Sequence, residues 1–113
     1  MCNTVINLMY DKNITGSTWV YTALRNKYKI LFYSGDIDGA VPTLGTVKWM
    51  HDMNWPIKQK WAPYFLNGQL AGYSEVRDGM TLVTIHGAGH MCPEDKRAES
   101  YYAIFNFIND KPL

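Results

Sequence analysis

Two short loops carry the residue types that perform acid–base chemistry. One is Gly35-Asp36-Ile37-Asp38-Gly39, with Val41-Pro42 behind it; the other is Gly87-Ala88-Gly89-His90-Met91, preceded by His86. An imidazole takes and returns a proton near neutral pH. A facing carboxylate holds one imidazole tautomer and stabilises the imidazolium that forms. Each loop follows a short run of β-forming apolar residues, the place where open α/β sheets present their active groups. An acid on one such loop and a histidine on a later one form the second half of the order Ser…Asp…His. Other readings stay open at this level. Either aspartate can instead bond nearby backbone amides in a turn. His86, His90 and Cys92, with Asp38 or Glu94, could ligate a metal. Against this, Gly87 and Gly89 break the helix that would align the two histidines, and the spacing matches no familiar zinc pattern. No metal or cofactor is therefore expected.

The order lacks its nucleophile. No G-x-S-x-G occurs, and Ser17, Ser34, Ser74 and Ser100 lack the glycines of a nucleophile elbow. Either the chemistry is not acyl transfer or the serine sits on another chain.

The elements that must position these loops follow from periodicity. Cys2, Val5, Ile6 and Met9 fall at helical spacing and predict a short helix over 2–10. Asn13 to Gly16 break it. Ser17 or Thr18 can cap a second helix carrying Trp19, Val20, Ala23 and Leu24. Lys29 to Ser34 read as a strand buried on both faces. Pro42 suits the start of a helix that runs through Leu44, Val47, Trp49 and Met50 to about Asn54. His51 and Asp52 fall on its solvated surface. Residues 60–66 and 69–77 flank Asn67-Gly68, a strong hairpin signal, and Asp78-Gly79 turns into 81–85. Trp61, Tyr64 and Phe65 could pack there on a partner chain or a dimer mate. Ala98, Tyr101, Tyr102, Phe105 and Ile108 predict a last helix over 95–109. The sum is an α/β protein. Its first strand, apolar on both faces, finds no parallel neighbours in this reading, so the chain is expected to be part of a larger sheet.

Composition narrows the class. The chain has 113 residues, 47% of them apolar and 19% charged, with a net charge of +1. That supports one domain over 1–113 without an internal boundary. It gives no electrostatic case for nucleic acid. Runs such as Ile30-Leu31-Phe32-Tyr33 are too short to span a bilayer. Two cysteines, Cys2 and Cys92, are too few for a disulfide scaffold. Met1-Cys2-Asn3-Thr4 does not open a signal peptide, yet Asn13-Ile14-Thr15 is a glycosylation sequon. The two fit together if the chain is a downstream piece of a longer precursor.

Several motifs, in order, resemble one family. They are Ile30-Leu31-Phe32-Tyr33-Ser34-Gly35-Asp36-Ile37-Asp38, then Pro42-Thr43-Leu44-Gly45-Thr46 with Trp49. Gln69-Leu70-Ala71-Gly72-Tyr73 follows, then Gly87-Ala88-Gly89-His90-Met91 with Pro93 and Asp95-Lys96. Together they are similar to the C-terminal part of the serine carboxypeptidases. Met1-Cys2-Asn3 with Val5, Asn7 and Tyr10 resembles the small-chain region of the animal lysosomal members. The resemblance implies the C-terminal portion of an α/β-hydrolase fold, completed by a second, large chain. It implies a Ser-Asp-His triad that releases C-terminal residues from peptides, with Asp38 as the carboxylate, His90 as the general base and Asp36 structural. Met91, Val41 and Ala40 would line the substrate pocket. The serine and oxyanion hole lie upstream in the family. Cys2 matches the cysteine that joins the large chain, Cys92 would be a free buried thiol, and Asn13 would be glycosylated. A homodimer of the two-chain unit and a lysosomal, vacuolar or secreted location belong to the same expectation. The same triad serves acyltransferases and a hydroxynitrile lyase in plant members, and the animal lysosomal member also protects partner glycosidases in a complex. Departures from the family pattern are Cys92, Lys96-Arg97 and His86, the last at a position that is often basic or polar.

The Cys2 assignment has a direct check. Peptide mapping of the complete protein should find Cys2 bridged to another chain or a distant cysteine, a link that contributes roughly 2–4 kcal/mol. Alkylation of Cys2 without reduction, or a Cys2–Cys92 bridge, would contradict it.

Overall fold

The computed structural model describes residues 3–11 and 16–113. Cys2 and Asn13, expected to be a bridging cysteine and a glycosylation site, lie outside the described residues. The elements run α1 (Thr4–Met9), α2 (Thr18–Leu24), β1 (Leu31–Gly35), α3 (Thr43–Asp52), β2 (Ile57–Leu66), β3 (Gln69–Arg77), β4 (Met80–Ile85), α4 (Cys92–Asp95) and α5 (Arg97–Ile108). Among the described residues no helix is long and apolar enough to cross a membrane.

The strands form one mixed sheet in the order β1-β4-β3-β2. β2, β3 and β4 make the expected antiparallel meander. Asn67 (φ 52°) and Gly68 (φ 77°) both take the left-handed conformation, so the β2–β3 turn twists with its strands. Pro63 cannot donate to a ladder, and it sits in β2 at the sheet edge, where it is tolerated.

β1 corrects the expectation of a strand without parallel neighbours. It pairs in parallel with β4, from Leu31 opposite Thr81 to Gly35 opposite Ile85. The meander therefore supplies the missing neighbour, since its third strand returns alongside the first. Nor is β1 buried on both faces, because Tyr33 is 42% exposed.

Side chains of β4 alternate between two cores, as strand geometry requires. Val83 and Ile85 pack with Tyr64, Ala71, Ala88, Cys92 and Ala103, so this core lies under α5. Met80 and Leu82 pack with Met50 and Trp55, and Tyr21, Phe32, Val47 and Trp49 close that side under α2 and α3. Tyr21 stacks on Trp49 at 5.2 Å, and Phe32 meets Trp49 edge-on at 5.3 Å. Tyr64 belongs to the first core and not to a partner surface, since its hydroxyl donates to the Thr84 carbonyl at 2.9 Å. Trp61 stacks on Tyr73, and it and Phe65 remain open to solvent.

Polar ties hold the periphery. Beyond the end of α2, Arg25 donates to the Asp78 carbonyl and carboxylate at 2.8 and 2.7 Å while lying over Trp55. Arg77 and Glu75 form a buried pair on β3 at 2.6 Å, and Arg77 also donates to the Trp55 carbonyl. His51 is half exposed, as expected, with Nε2 3.8 Å from that glutamate. The last helix breaks where the sequence reads as continuous. Lys96 (φ −136°, ψ 69°) leaves the helical region and separates α4 from α5.

Much apolar surface is left open. α1 and α2 bury no residue fully. Leu8, Met9, Trp19 and Leu44 are each more than 70% exposed. The accessible area is 8142 Å², against roughly 6,300 Å² for a folded monomer of 13.0 kDa. Expressed alone, the 113-residue chain should therefore lack a cooperative melt and should bind a hydrophobic dye. A sharp, dye-free calorimetric transition of the monomeric chain would be the opposite result.

Candidate active site

Parallel pairing sends both candidate loops off the same end of the sheet. Gly35 and Ile85 are opposite one another, so residues 36–38 and 86–90 leave side by side. The loops touch through backbone. Ile37 N–H donates to the Ala88 carbonyl at 3.1 Å, and Asp36 N–H donates to the Ile85 carbonyl at 3.2 Å. Gly35 is required for this approach, because a Cβ there would collide with the carbonyl oxygens of Ala88 and Gly89. A strut backs the first loop: the Thr43 hydroxyl donates to the Gly35 carbonyl at 2.9 Å and lies 2.8 Å from the Ser34 hydroxyl.

The contact brings Asp38 to His90. His90 Nδ1 lies 2.9 Å from Asp38 Oδ2. The other carboxylate oxygen, Oδ1, accepts from the N–H groups of Ala40 at 2.7 Å and Val41 at 3.1 Å. The carboxylate side chain is 7% exposed, while the imidazole is 60% exposed. The His90 hydrogen bond is the main cause that holds the Asp38 carboxyl below its usual range; partial burial opposes it and the two amides assist. The stability from these bonds is complete above the ordinary aspartate value of 3.8 and is lost as the pH falls through the lowered one. An ionised carboxylate only accepts, so the hydrogen bond is donated by His90 Nδ1–H, and in the neutral imidazole the lone pair is then on Nε2.

Of the other expected positions, Ala40 and Val41 supply the amides just named, and the Val41 and Met91 side chains stand exposed beside the pair. Cys92 is a free, buried thiol whose Sγ faces the Gly89 carbonyl at 3.4 Å; burial pushes its pKa up. The alternative metal set does not converge, because each histidine is bonded to its own aspartate and Cys92 turns to the backbone.

Two sets of contacts were not anticipated. Asp95 Oδ2 accepts from the Gly89 N–H at 2.8 Å and anchors the histidine loop to α4. Asp36 pairs with His86, Nδ1 to Oδ2 at 2.6 Å, and its Oδ1 accepts from the Gly87 N–H at 2.7 Å. The signal available in the sequence was the doubling itself, two aspartates facing two histidines across the same loops. A depression of about 860 Å³ lies at the other end of the strands among Lys29, Ile30, Met80 and Thr81, away from all of these groups.

A parallel strand pair with an acid on one following loop and its imidazole on the other defines an α/β protein carrying a carboxylate–imidazole dyad, the pairing with which hydrolases prepare a nucleophile. The chain belongs to the serine carboxypeptidase family, whose model matches residues 1–110. It is 39% identical over 114 residues to serine carboxypeptidase-like 52 of Arabidopsis thaliana, covering 99% of this chain and 60% of that protein. It is 32% identical to serine carboxypeptidase-like 40 of the same plant, covering 99% of this chain and 22% of that one. Serine carboxypeptidase-like 26 of Oryza sativa subsp. japonica is also 32% identical, with 100% of this chain and 24% of the relative covered. The chain thus spans three fifths of the first relative and about a quarter of the other two. All three are plant proteins, so the likeness to animal lysosomal members stays an expectation.

Gly35→Ala tests whether the loop contact carries the dyad. Forcing a methyl against two carbonyls should cost about 1–3 kcal/mol or more, and should break the Asp38–His90 bond with it. An unchanged Tm, with the His90 Nδ1 proton still strongly downfield by NMR, would contradict the argument.

Proposed function

We propose that these residues are the acid–base half of a serine-type peptide hydrolase that releases C-terminal residues. The observation that carries the reading is the 2.9 Å bond between a nearly buried Asp38 and an exposed His90, on loops leaving adjacent parallel strands. In this reading His90 Nε2 takes the proton of a serine, which then attacks the scissile carbonyl. Asp38 holds the tautomer and stabilises the imidazolium, and His90 returns the proton to the leaving amine. Met91, Val41 and Ala40 border the substrate. No cofactor takes part.

The serine comes from an N-terminal large chain, which completes an α/β-hydrolase sheet and is tied here through Cys2. The relatives' length and the open apolar faces of α1, α2 and α3 support that completion. Asn13 glycosylation and a lysosomal, vacuolar or secreted location go with the same reading, as does pairing of two such units.

The test is release of the C-terminal residue from a blocked dipeptide by the complete protein. Asp38→Asn should lower kcat about 10⁴-fold, because the wrong tautomer faces the serine. His90→Ala should lose at least as much. The double variant should fall little further, since the residues act as one unit. Full activity in His90→Ala would remove the hydrolase reading. Transfer of the acyl group to an added alcohol in place of water would assign acyl transfer instead, and a wild type that turns over neither way would point to a protective subunit.

A further inference from the structure

The two aspartate–histidine pairs bridge the same two loops, yet only one has a place in the mechanism. Asp36 and Asp38 are two residues apart, and His86 and His90 are four apart. Both imidazoles use Nδ1, at 2.6 and 2.9 Å. The pairs differ in setting. Asp36 Oδ1 is spent on the Gly87 amide, at the base of the histidine loop. Asp38 Oδ1 is spent on the amides of its own loop. Asp36 therefore reaches across to the loop that bears His90 twice, by side chain and by backbone. Asp38 reaches across once, through His90 itself.

The histidine loop needs such a hold. Its residues 86–91 contain two glycines, and His90 is 60% exposed on this chain. A short bond between an imidazole and a carboxylate is strong when charge-assisted. Its position, one residue past β4, fixes where the loop leaves the sheet. Asp95 fixes the other side through the Gly89 amide. His90 directly follows the second anchor, and only Ala88 lies between the two clamped glycines.

We infer that His86 is a positioning residue: bonded to Asp36, it clamps the histidine loop so that His90 stays over Asp38. This rests on the reading of Asp38–His90 as the acid–base pair, and it gives Asp36 a role beyond the turn-forming one expected of it. His86 touches no reacting atom in this account. Its effect passes entirely through the placement of His90.

The experiment uses the complete protein, selectively labelled with ¹⁵N-histidine, and reads two things. The first is the downfield Nδ1 proton of His90, which reports its bond to Asp38 without any turnover. The second is kcat and KM on the blocked dipeptide. His86→Ala should broaden or abolish the His90 signal. It should lower kcat on the order of 10- to 100-fold, the effect of an ångström-scale misplacement, with KM within about twofold. Asp36→Asn should do the same, because its amide oxygen can still accept from Gly87 but no longer holds the imidazole as a charged partner; it serves as the reading if His86→Ala fails to fold. His86→Arg, which offers Asp36 a guanidinium donor in place of the imidazole, should recover both the signal and kcat. A lowered Tm with unchanged kcat and an intact His90 signal in both loss variants would reduce the pair to a stabilising contact and overturn the inference, as would failure of His86→Arg to rescue. If the wild type does not hydrolyse the peptide, the activity reading fails while the His90 signal still decides the clamp.

Discussion

The parallel ladder between Leu31–Gly35 and Met80–Ile85 is the constraint on which the site depends. Its register sets Gly35 against Ile85, so the two loops that follow must start one strand spacing apart. Everything beyond is short-range. Gly35 lets the backbones touch, Thr43 braces the first loop, and Asp95 and His86 hold the second. Asp38, its other oxygen held by the Ala40 and Val41 amides, then meets His90. The cores on the two faces of β4 keep that ladder in place, since Leu82 and Val83 each belong to a different one.

Local chemistry was legible in the sequence wherever a residue's own backbone preference decides the outcome. Asn67-Gly68 reads as a hairpin because few other pairs accept two left-handed conformations in a row. The helix after Pro42 reads the same way. Both begin and end within a few residues of where the structure has them, although β2 starts earlier, at Ile57. The Asp38 and His90 loops were legible from glycines, acids and histidines standing after apolar runs. What was not legible is set by tertiary pairing. No periodicity shows that the third strand of a meander will turn back alongside Leu31–Gly35. The burial of Tyr64 depends on α5 lying over its strand, and the break at Lys96 interrupts an otherwise helical pattern. The Asp36–His86 pair was hidden because each residue alone has an ordinary explanation, a turn aspartate and a polar strand end.

The outer surface follows from the same architecture. β2 ends the sheet on one side and β1 on the other, and α1 and α2 lie on a molecule too small to bury them. Apolar side chains such as Leu8, Trp19 and Leu44 are left in water at a cost of roughly 25 cal/mol per Å² of surface. The dyad is partly open as well. Its acid is shielded by this chain, but its base faces outward, as a base must if the group it serves comes from elsewhere.

The central claim is that Asp38 and His90 activate a serine that these residues do not contain. Its most direct test is intact mass and peptide mapping of the complete protein after brief exposure to a fluorophosphonate, which loses fluoride as it phosphonylates an activated serine. One adduct should form on the wild type, on a serine outside residues 1–113, and none on His90→Ala or Asp38→Asn over the same period. An adduct that forms at the same rate in all three proteins would contradict the claim.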